Sequence, residues 1–386
     1  MSKARKNISS TDTPTADGGA IRVLLAAGGT GGHVYPAIAI ADALRKLSKE
    51  ISILFVGTRD RMEWSTVPKS GYNIKSVWIS GFHRRLTIQN LLFPLKLFVS
   101  LIQSFVILRN FRPDVVVACG GFASGPIGWM AAKIGITLVL QEQNSFPGVT
   151  NRMLAKQATT IFTAFEDAKH YFPADKVKLS GNPVRSKLED KDLQHSLEHF
   201  NFNTGKPVLL ILGGSGGALA LNNAMQKNIS ILHNELNLQI IWQCGKKYYD
   251  EISKNIDTKE FPNLRLLDFI DDMAAAYGAA DLVITRAGAS TCSELMTIGQ
   301  PAVLVPSPNV AGNHQEKNAQ SMVEAGAAEI LKEDNLDENL TGTVQNLIAN
   351  DKKLEAMSTA MKKLARPNAA NVIAKEIYSL AEQNRS

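Results

Sequence analysis

The sequence predicts an α/β protein built from two Rossmann-like domains with parallel sheets. Three observations predict it. Short apolar runs alternate with longer amphipathic segments, the pattern of parallel βαβ units. That pattern occurs twice along the chain. Each half opens with the same device, an apolar run, a GG[TS]GG turn and a helix. A length of 386 residues also suits two domains at roughly 100–200 residues each.

The elements follow in order. Ile21 to Ala27 reads as a buried strand, Gly28 to His33 as a glycine loop, and Pro36 to about Leu47 as a helix. Ile51–Val56, Asp114–Cys119 and Leu138–Gln141 read as further strands of the first half. The second half restarts at Pro207–Leu212, turns at Gly213-Gly214-Ser215-Gly216-Gly217-Ala218, and continues with a helix from Leu219. Gln239–Gln243, Leu282–Thr285 and Ala302–Pro306 complete its strands. Residues 1–18 are expected to be a disordered tail. The first domain is expected over 19–182 and the second over 183–370, with the boundary at Gly181-Asn182-Pro183 and a C-terminal helix of open docking over 371–386.

Composition limits the function classes. With 45% hydrophobic and 20% charged residues, the bulk of the chain is neither disordered, collagenous nor coiled coil. A net charge of +6 permits phosphate, nucleic acid or anionic lipid as a partner without choosing among them. Cys119, Cys244 and Cys292 are far apart and odd in number, which fits a reducing compartment and excludes a disulfide framework. The first 20 residues hold no apolar h-region, so no secretory signal is expected.

Glycine turns between strand and helix let backbone N–H groups approach an anion at the positive helix end. Neither loop is a dinucleotide fingerprint, because Val34 and Leu219 stand where a small residue is needed, and neither has a P-loop ending. The alternative is a pair of tight packing turns. A third site of this type is Thr285 to Glu294, where Arg286 could neutralise a phosphate and Ser290 or Thr291 could cap a helix. Glu294 then reads either as the carboxylate of a capping box or as an acceptor for vicinal ribose hydroxyls. Asp190-Lys191-Asp192, and His195 with His199, match metal patterns by count but read as solvated charge; no metal site is expected.

These segments together resemble one family. They are Gly28 to His33, Gly120-Gly121-Phe122-Ala123-Ser124-Gly125-Pro126, Glu142-Gln143-Asn144, Gly181 to Arg185, Gly213 to Ala218, Arg286 to Ala289, and His314-Gln315-x-x-Asn318-Ala319. In that order they resemble the MurG family of N-acetylglucosaminyltransferases, from about Ile21 to the C-terminus. The resemblance implies the glycosyltransferase type B fold with an interdomain active site. It implies inverting transfer of GlcNAc from UDP-GlcNAc to the 4-hydroxyl of MurNAc in undecaprenyl-diphosphate-linked pentapeptide, lipid I, giving β-1,4-linked lipid II. It implies no cofactor and no nucleic-acid partner.

The resemblance also distributes roles. Ser215 would hold the diphosphate, Ile270 would meet uracil through its backbone, and Glu294 would hold the ribose. Ala289, Ser290, Thr291, Cys292 and Ser293 would line the phosphates, while Gln315 and Asn318 would read GlcNAc hydroxyls. Arg185, Asn144 and Thr30, Gly31 and Gly32 would close from the other side. His33 is the candidate general base; the alternative is a loop or phosphate contact. Gln141 and Phe122 stand where the family often has His and Tyr.

Leu86 to Leu108 has the length and hydropathy of a membrane span. Pro94, several polar residues and basic flanks argue instead for a patch on an anionic membrane surface, with Leu92, Phe93, Lys96 and Trp129 as its candidates. A core helix is the alternative. The resemblance implies peripheral binding at the cytoplasmic face of the bacterial inner membrane. Rival readings are another UDP-sugar lipid transferase, a UDP-GlcNAc 2-epimerase, and a non-catalytic nucleotide-sugar-binding membrane partner.

Overall fold

A computed structural model describes residues 20–81, 92–184, 188, 192–214, 216–310 and 313–385. The tail expected over 1–18, the basic flank at His83-Arg84-Arg85, and the site candidates Arg185 and Ser215 lie outside the described residues.

The first sheet holds β1 (Arg22–Ala26), β2 (Ser52–Gly57), β3 (Asn73–Ser76), β4 (Val115–Ala118), β5 (Thr137–Glu142), β6 (Thr160–Thr163) and β7 (Val177–Leu179). Their order is β3-β2-β1-β4-β5-β6-β7, and every pairing is parallel. The second sheet holds β8 (Val208–Leu212), β9 (Gln239–Gln243), β10 (Leu264–Leu267), β11 (Leu282–Thr285), β12 (Ala302–Leu304) and β13 (Ala328–Ile330). Its order is β10-β9-β8-β11-β12-β13, again all parallel. The central strands are apolar on both faces because helices cover both faces. Each sheet reverses its winding beside its first strand, between β1 and β4 and between β8 and β11. Ligands of open parallel sheets sit in the crevice at that reversal. Both glycine loops and the turn after β11 lie there.

The first domain carries α1 (Gly31–Leu47), α2 (Glu63–Lys69), α3 (Phe93–Phe111), α4 (Ser124–Lys133) and α5 (Val149–Leu154). The second carries α6 (Leu193–His199), α7 (Leu219–Ser230), α8 (Lys246–Asn255), α9 (Met273–Ala279), α10 (Ala289–Ile298), α11 (His314–Glu324), α12 (Leu336–Ile348) and α13 (Asp351–Leu364). The last helix, α14 (Ala369–Gln383), crosses back to the first domain. Its Ile373, Ala374, Ile377 and Ala381 share one core with Val34, Ile40 and Leu44 of α1. Burying each isoleucine is worth about 1.5–3 kcal/mol. Arg385 then pairs with Asp114 at the foot of β4, 3.0 and 2.9 Å away. The chain thus spans the domain junction twice.

Two local expectations change. Helix α1 starts at Gly31 rather than Pro36, because Thr30 is extended and its carbonyl accepts from the backbones of His33 and Val34. Pro36 is therefore inside the helix, with no N–H to give the Gly32 carbonyl. The glycine loop and the helix N-terminus are one structure.

Helix α3 is long and apolar enough to cross a membrane by composition, yet it packs along α4 in the first domain. Its inner stripe is Ser100, Ser104 and Leu108. Its outer stripe is Leu95, Phe98, Ile102 and Phe105, spaced three and four apart, with Phe98 63% exposed. That phase corrects two patch candidates. Phe93 packs against the core, and Lys96 donates to Ser80 Oγ at 3.0 Å. Leu92 and Trp129 are exposed as expected. A core helix is not what α3 is.

Candidate active site

The first-domain wall is the N-terminus of α1. In an α-helix the first N–H groups have no partner in the ladder, so Gly31 and Gly32 offer theirs to the cleft. His33 follows in the same turn. Its Nδ1 lies 3.2 Å from the Gly28 carbonyl and 3.2 Å from Thr30 Oγ1. A carbonyl can only accept, so Nδ1 carries the proton and Nε2 is the basic nitrogen. The ring packs so tightly on Gly120 that a Cβ there would stand 2.9 Å from Nε2. Burial pushes the His33 pKa down to about 4. His314 lowers it further, while the Gly28 carbonyl and the Glu63 charge work against both. The imidazole is neutral at pH 7.

The second-domain wall is the N-terminus of α10. Its N-cap is Gly288, without a side-chain cap, so neither Ser290 nor Thr291 caps the helix. The capping-box reading of Glu294 therefore falls. Cys292 N–H already bonds the Gly288 carbonyl at 2.9 Å, so the unpaired turn consists of Ala289, Ser290 and Thr291. Ser290 Oγ is shielded from solvent and has no hydrogen-bond partner. A Cβ on Gly32 would stand 4.0 Å from it, across the cleft. Two helix N-termini from two domains thus converge on one unsatisfied hydroxyl. That arrangement suits an anion with several oxygens, since both helix dipoles favour negative charge at the same place.

The structure redistributes the other expected residues. The side chains of Cys292 and Ser293 are engaged within the second domain. The Cys292 thiol is buried in the core, which pushes its pKa up to about 12, and Ser293 Oγ donates to the Ala289 carbonyl at 2.8 Å. Arg286 is not a free cation for phosphate. It pairs with Glu333 and donates to the Val305 carbonyl at 3.1 Å. Asn318 is engaged by protein contacts between the domains. It is fully buried, and its amide bridges the domains to Ser145, Asn144 and the Ala287 carbonyl. Gln315 is half-buried and accepts from Ser307 N–H at 2.9 Å. Ile270 turns its side chain into the second-domain core. Glu294 is nearly buried and accepts from Tyr277 Oη at 3.1 Å.

Sequence reasoning missed four residues. Glu142 accepts from Asn144, Gly148 and Asn151, and so shapes the loop that presents Asn144. Burial pushes its pKa up, and those donors oppose the push. Ser145 receives the Asn318 bridge, and Tyr277 orients Glu294. Glu63 lies under the first glycine loop. The two departures are also placed. Gln141 is buried and donates to Asn182 Oδ1 at 3.1 Å, a structural role. Phe122 covers Gly81 and lines a small cavity with Gly28, Gly29, Thr58 and Arg61.

Asp192 caps α6 by accepting from His195 N–H, and both histidines of that helix are exposed. Among the described residues no three His, Cys, Asp or Glu side chains group as metal ligands.

Comparison with known proteins bears on this site. Residues 23–163 match the Glycosyltransferase family 28 N-terminal domain, and residues 208–373 match the Glycosyltransferase family 28 C-terminal domain. The UDP-N-acetylglucosamine--N-acetylmuramyl-(pentapeptide) pyrophosphoryl-undecaprenol N-acetylglucosamine transferase of Flavobacterium psychrophilum is 46% identical over 367 residues, covering 95% of this chain and 99% of the relative. The chain belongs to the MurG branch of glycosyltransferase family 28. A second family 28 relative of the same description, from Christiangramia forsetii, is 44% identical over 93% of this chain and 98% of its own length. Among solved structures, Acinetobacter baumannii MurG superposes with a TM-score of 0.73 at 29% identity, covering 93% of this chain and 99% of that one. The S. aureus MnaA–UDP co-structure shares the fold alone, with a TM-score of 0.67 at 15% identity, covering 92% of this chain and 96% of that one.

Proposed function

We propose that this chain is the N-acetylglucosaminyltransferase that moves GlcNAc from UDP-GlcNAc to the MurNAc 4-hydroxyl of lipid I, forming lipid II for peptidoglycan. The observation that carries the reading is the convergence of α1 and α10 on Ser290 Oγ. Family 28 membership and the activity for which relatives above 40% identity are named support the substrates.

The chemistry follows from the same geometry. Inversion requires in-line attack, a base for the incoming hydroxyl and stabilisation of the departing UDP diphosphate. The unpaired N–H groups of Ala289, Ser290 and Thr291 and the Ser290 hydroxyl stabilise that diphosphate as its charge grows. Glu294, held by Tyr277, accepts from the ribose hydroxyls. His33 presents a neutral Nε2 on the acceptor side. Its depressed pKa makes it a weak base in the empty cleft. An acceptor diphosphate beside it raises that value, because a nearby anion favours imidazolium.

The membrane reading is part of the proposal. The outer stripe of α3, with Leu92 and Trp129, meets the cytoplasmic face of the bacterial inner membrane peripherally. Cations stand beside the patch, with Arg109 over Phe105 and Lys133 over Trp129 at 5.9 and 5.5 Å. The inner stripe of Ser100 and Ser104 is occupied by protein contacts, which suits a helix lying on the bilayer rather than crossing it.

Incubation with labelled UDP-GlcNAc and a lipid I analogue tests the reading. Mass gain of one HexNAc on the analogue, with UDP release, supports it. Release of free ManNAc or UDP-ManNAc without acceptor would establish a 2-epimerase instead.

A further inference from the structure

Glu63 has no solvent exposure, and no cation pairs with it among the described residues. It is held by three neutral donors. Oε1 accepts from Thr58 N–H at 3.0 Å and Thr58 Oγ1 at 2.8 Å, and Oε2 accepts from Gly29 N–H at 3.1 Å. Two glycines make room for it. A Cβ on Gly57 would stand 2.5 Å from Glu63 Cγ, and one on Gly28 would stand 2.7 Å from Oε1. An unpaired buried carboxylate is a costly way to pin a turn. Its position explains the cost, because the residue it pins adjoins Gly28, whose carbonyl orients His33 Nδ1.

We propose that Glu63 is the positioning residue of the first glycine loop, fixing the tautomer and orientation of His33 and steering the anion away from Gly28 and Gly29. The chain of contacts is continuous. Glu63 holds Gly29, Gly28 accepts from His33 Nδ1, and Nε2 is left toward Gly120. Gly29 N–H, the first donor of the loop, is already used. A negative charge beneath the loop also repels phosphate from that point, which leaves the α1 N-terminus at Gly31 and Gly32 as the anion-facing donors. Two charged or titratable groups act on His33. Glu63, from α2, raises its basicity, and His314, from α11, lowers it. The inference rests on the transferase reading for its kinetic arm only.

The test is Glu63→Gln, which keeps the shape but removes the charge and turns one oxygen into a donor facing other donors. The expected kcat loss is roughly 10- to 100-fold, the scale for a misplaced reacting group. Donor KM stays near wild type. The His33 imidazole, followed by NMR in the absence of substrates, titrates at a lower pH than in wild type. Unchanged kcat with an unmoved His33 midpoint overturns the proposal. So does a kcat loss that matches a lost folded fraction while the His33 midpoint stays put. If Glu63→Gln does not fold, Glu63→Asp keeps the charge but withdraws it from Gly29. A kcat loss at constant donor KM then supports the proposal, and wild-type kcat overturns it. A wild-type protein that transfers no GlcNAc refutes the transferase reading instead, while the His33 titration still judges Glu63.

Discussion

The backbone N–H of Ser145 donates to Asn318 Oδ1 at 2.9 Å, joining the loop after β5 to helix α11 of the other domain. The same oxygen accepts from Ser145 Oγ at 3.1 Å. Neighbouring contacts repeat the link, with Lys317 Nζ 3.5 Å from the Phe146 ring centroid and Ser321 Oγ donating to Asp167 at 2.5 Å. Helix α11 thus clasps the first domain through three residues within its first two turns, Lys317, Asn318 and Ser321.

Asn318→Ala strips Ser145 N–H of its acceptor in a buried place. A stranded buried donor costs about 1–3 kcal/mol. The cleft should open, which X-ray scattering or a distance label across the domains will register as a larger mean separation, and donor KM should rise. An unchanged separation would mean that Lys317 and Ser321 hold the clasp without Asn318.

Glu294→Ala should weaken UDP binding while the fold survives. Each charge-assisted bond lost is worth about 1.5–3 kcal/mol. Calorimetry with UDP is the measurement. Tyr277→Phe should give a smaller loss in the same direction, since it removes one hydrogen bond to Glu294 without deleting the carboxylate. Wild-type UDP affinity in Glu294→Ala would remove that carboxylate from the site.

His33→Ala should cut turnover by roughly 10²–10⁴-fold if the imidazole is the base. It should flatten the acidic limb of kcat/KM, which in wild type lies nearer pH 4 than 6.5. UDP-GlcNAc affinity should stay near wild type. A variant that keeps the limb and its turnover but binds donor weakly makes His33 a loop or phosphate contact.

The same residue sets a stability trend. Its folded pKa of about 4 lies below the ordinary 6.5, so the unfolded chain takes up the proton first. Its contribution is complete above pH 6.5 and is lost as pH falls toward 4. Denaturant titrations at stepped pH should show His33→Ala losing less stability than wild type across that window.

Phe98→Ser with Ile102→Ser should release the protein from anionic phospholipid vesicles. Each buried side chain is worth about 1.5–3 kcal/mol of partitioning. UDP affinity should not change. Phe93→Ser should instead lower the melting temperature, because Phe93 packs on the core. Equal cosedimentation of the double variant and wild type would rule the α3 stripe out as a membrane contact.

The sequence by itself determined the duplicated βαβ plan and the positions of its turns. Strand cores such as Val208–Leu212 are buried on both faces, and burial on both faces demands a continuous apolar run. Glycines 28, 29, 31 and 32 and glycines 213, 214, 216 and 217 marked the crevice, because a turn with few side chains lets a helix end stand close to a strand. The tertiary structure decided what local pattern does not encode. The start of α1 at Gly31 depends on the Thr30 carbonyl, not on Pro36. The outward phase of α3 depends on which stripe fits α4, so Phe93 and Phe98, five apart in an equally apolar helix, have opposite fates. The return of α14 onto α1, the pairing of Arg286 with Glu333, the Asn318 clasp and the Glu63 support all join residues far apart in the chain or oriented by its folds. A single sequence carries charge and hydrophobicity at each position, but a partner is chosen by distance and burial, and those exist only once the sheets have closed on each other.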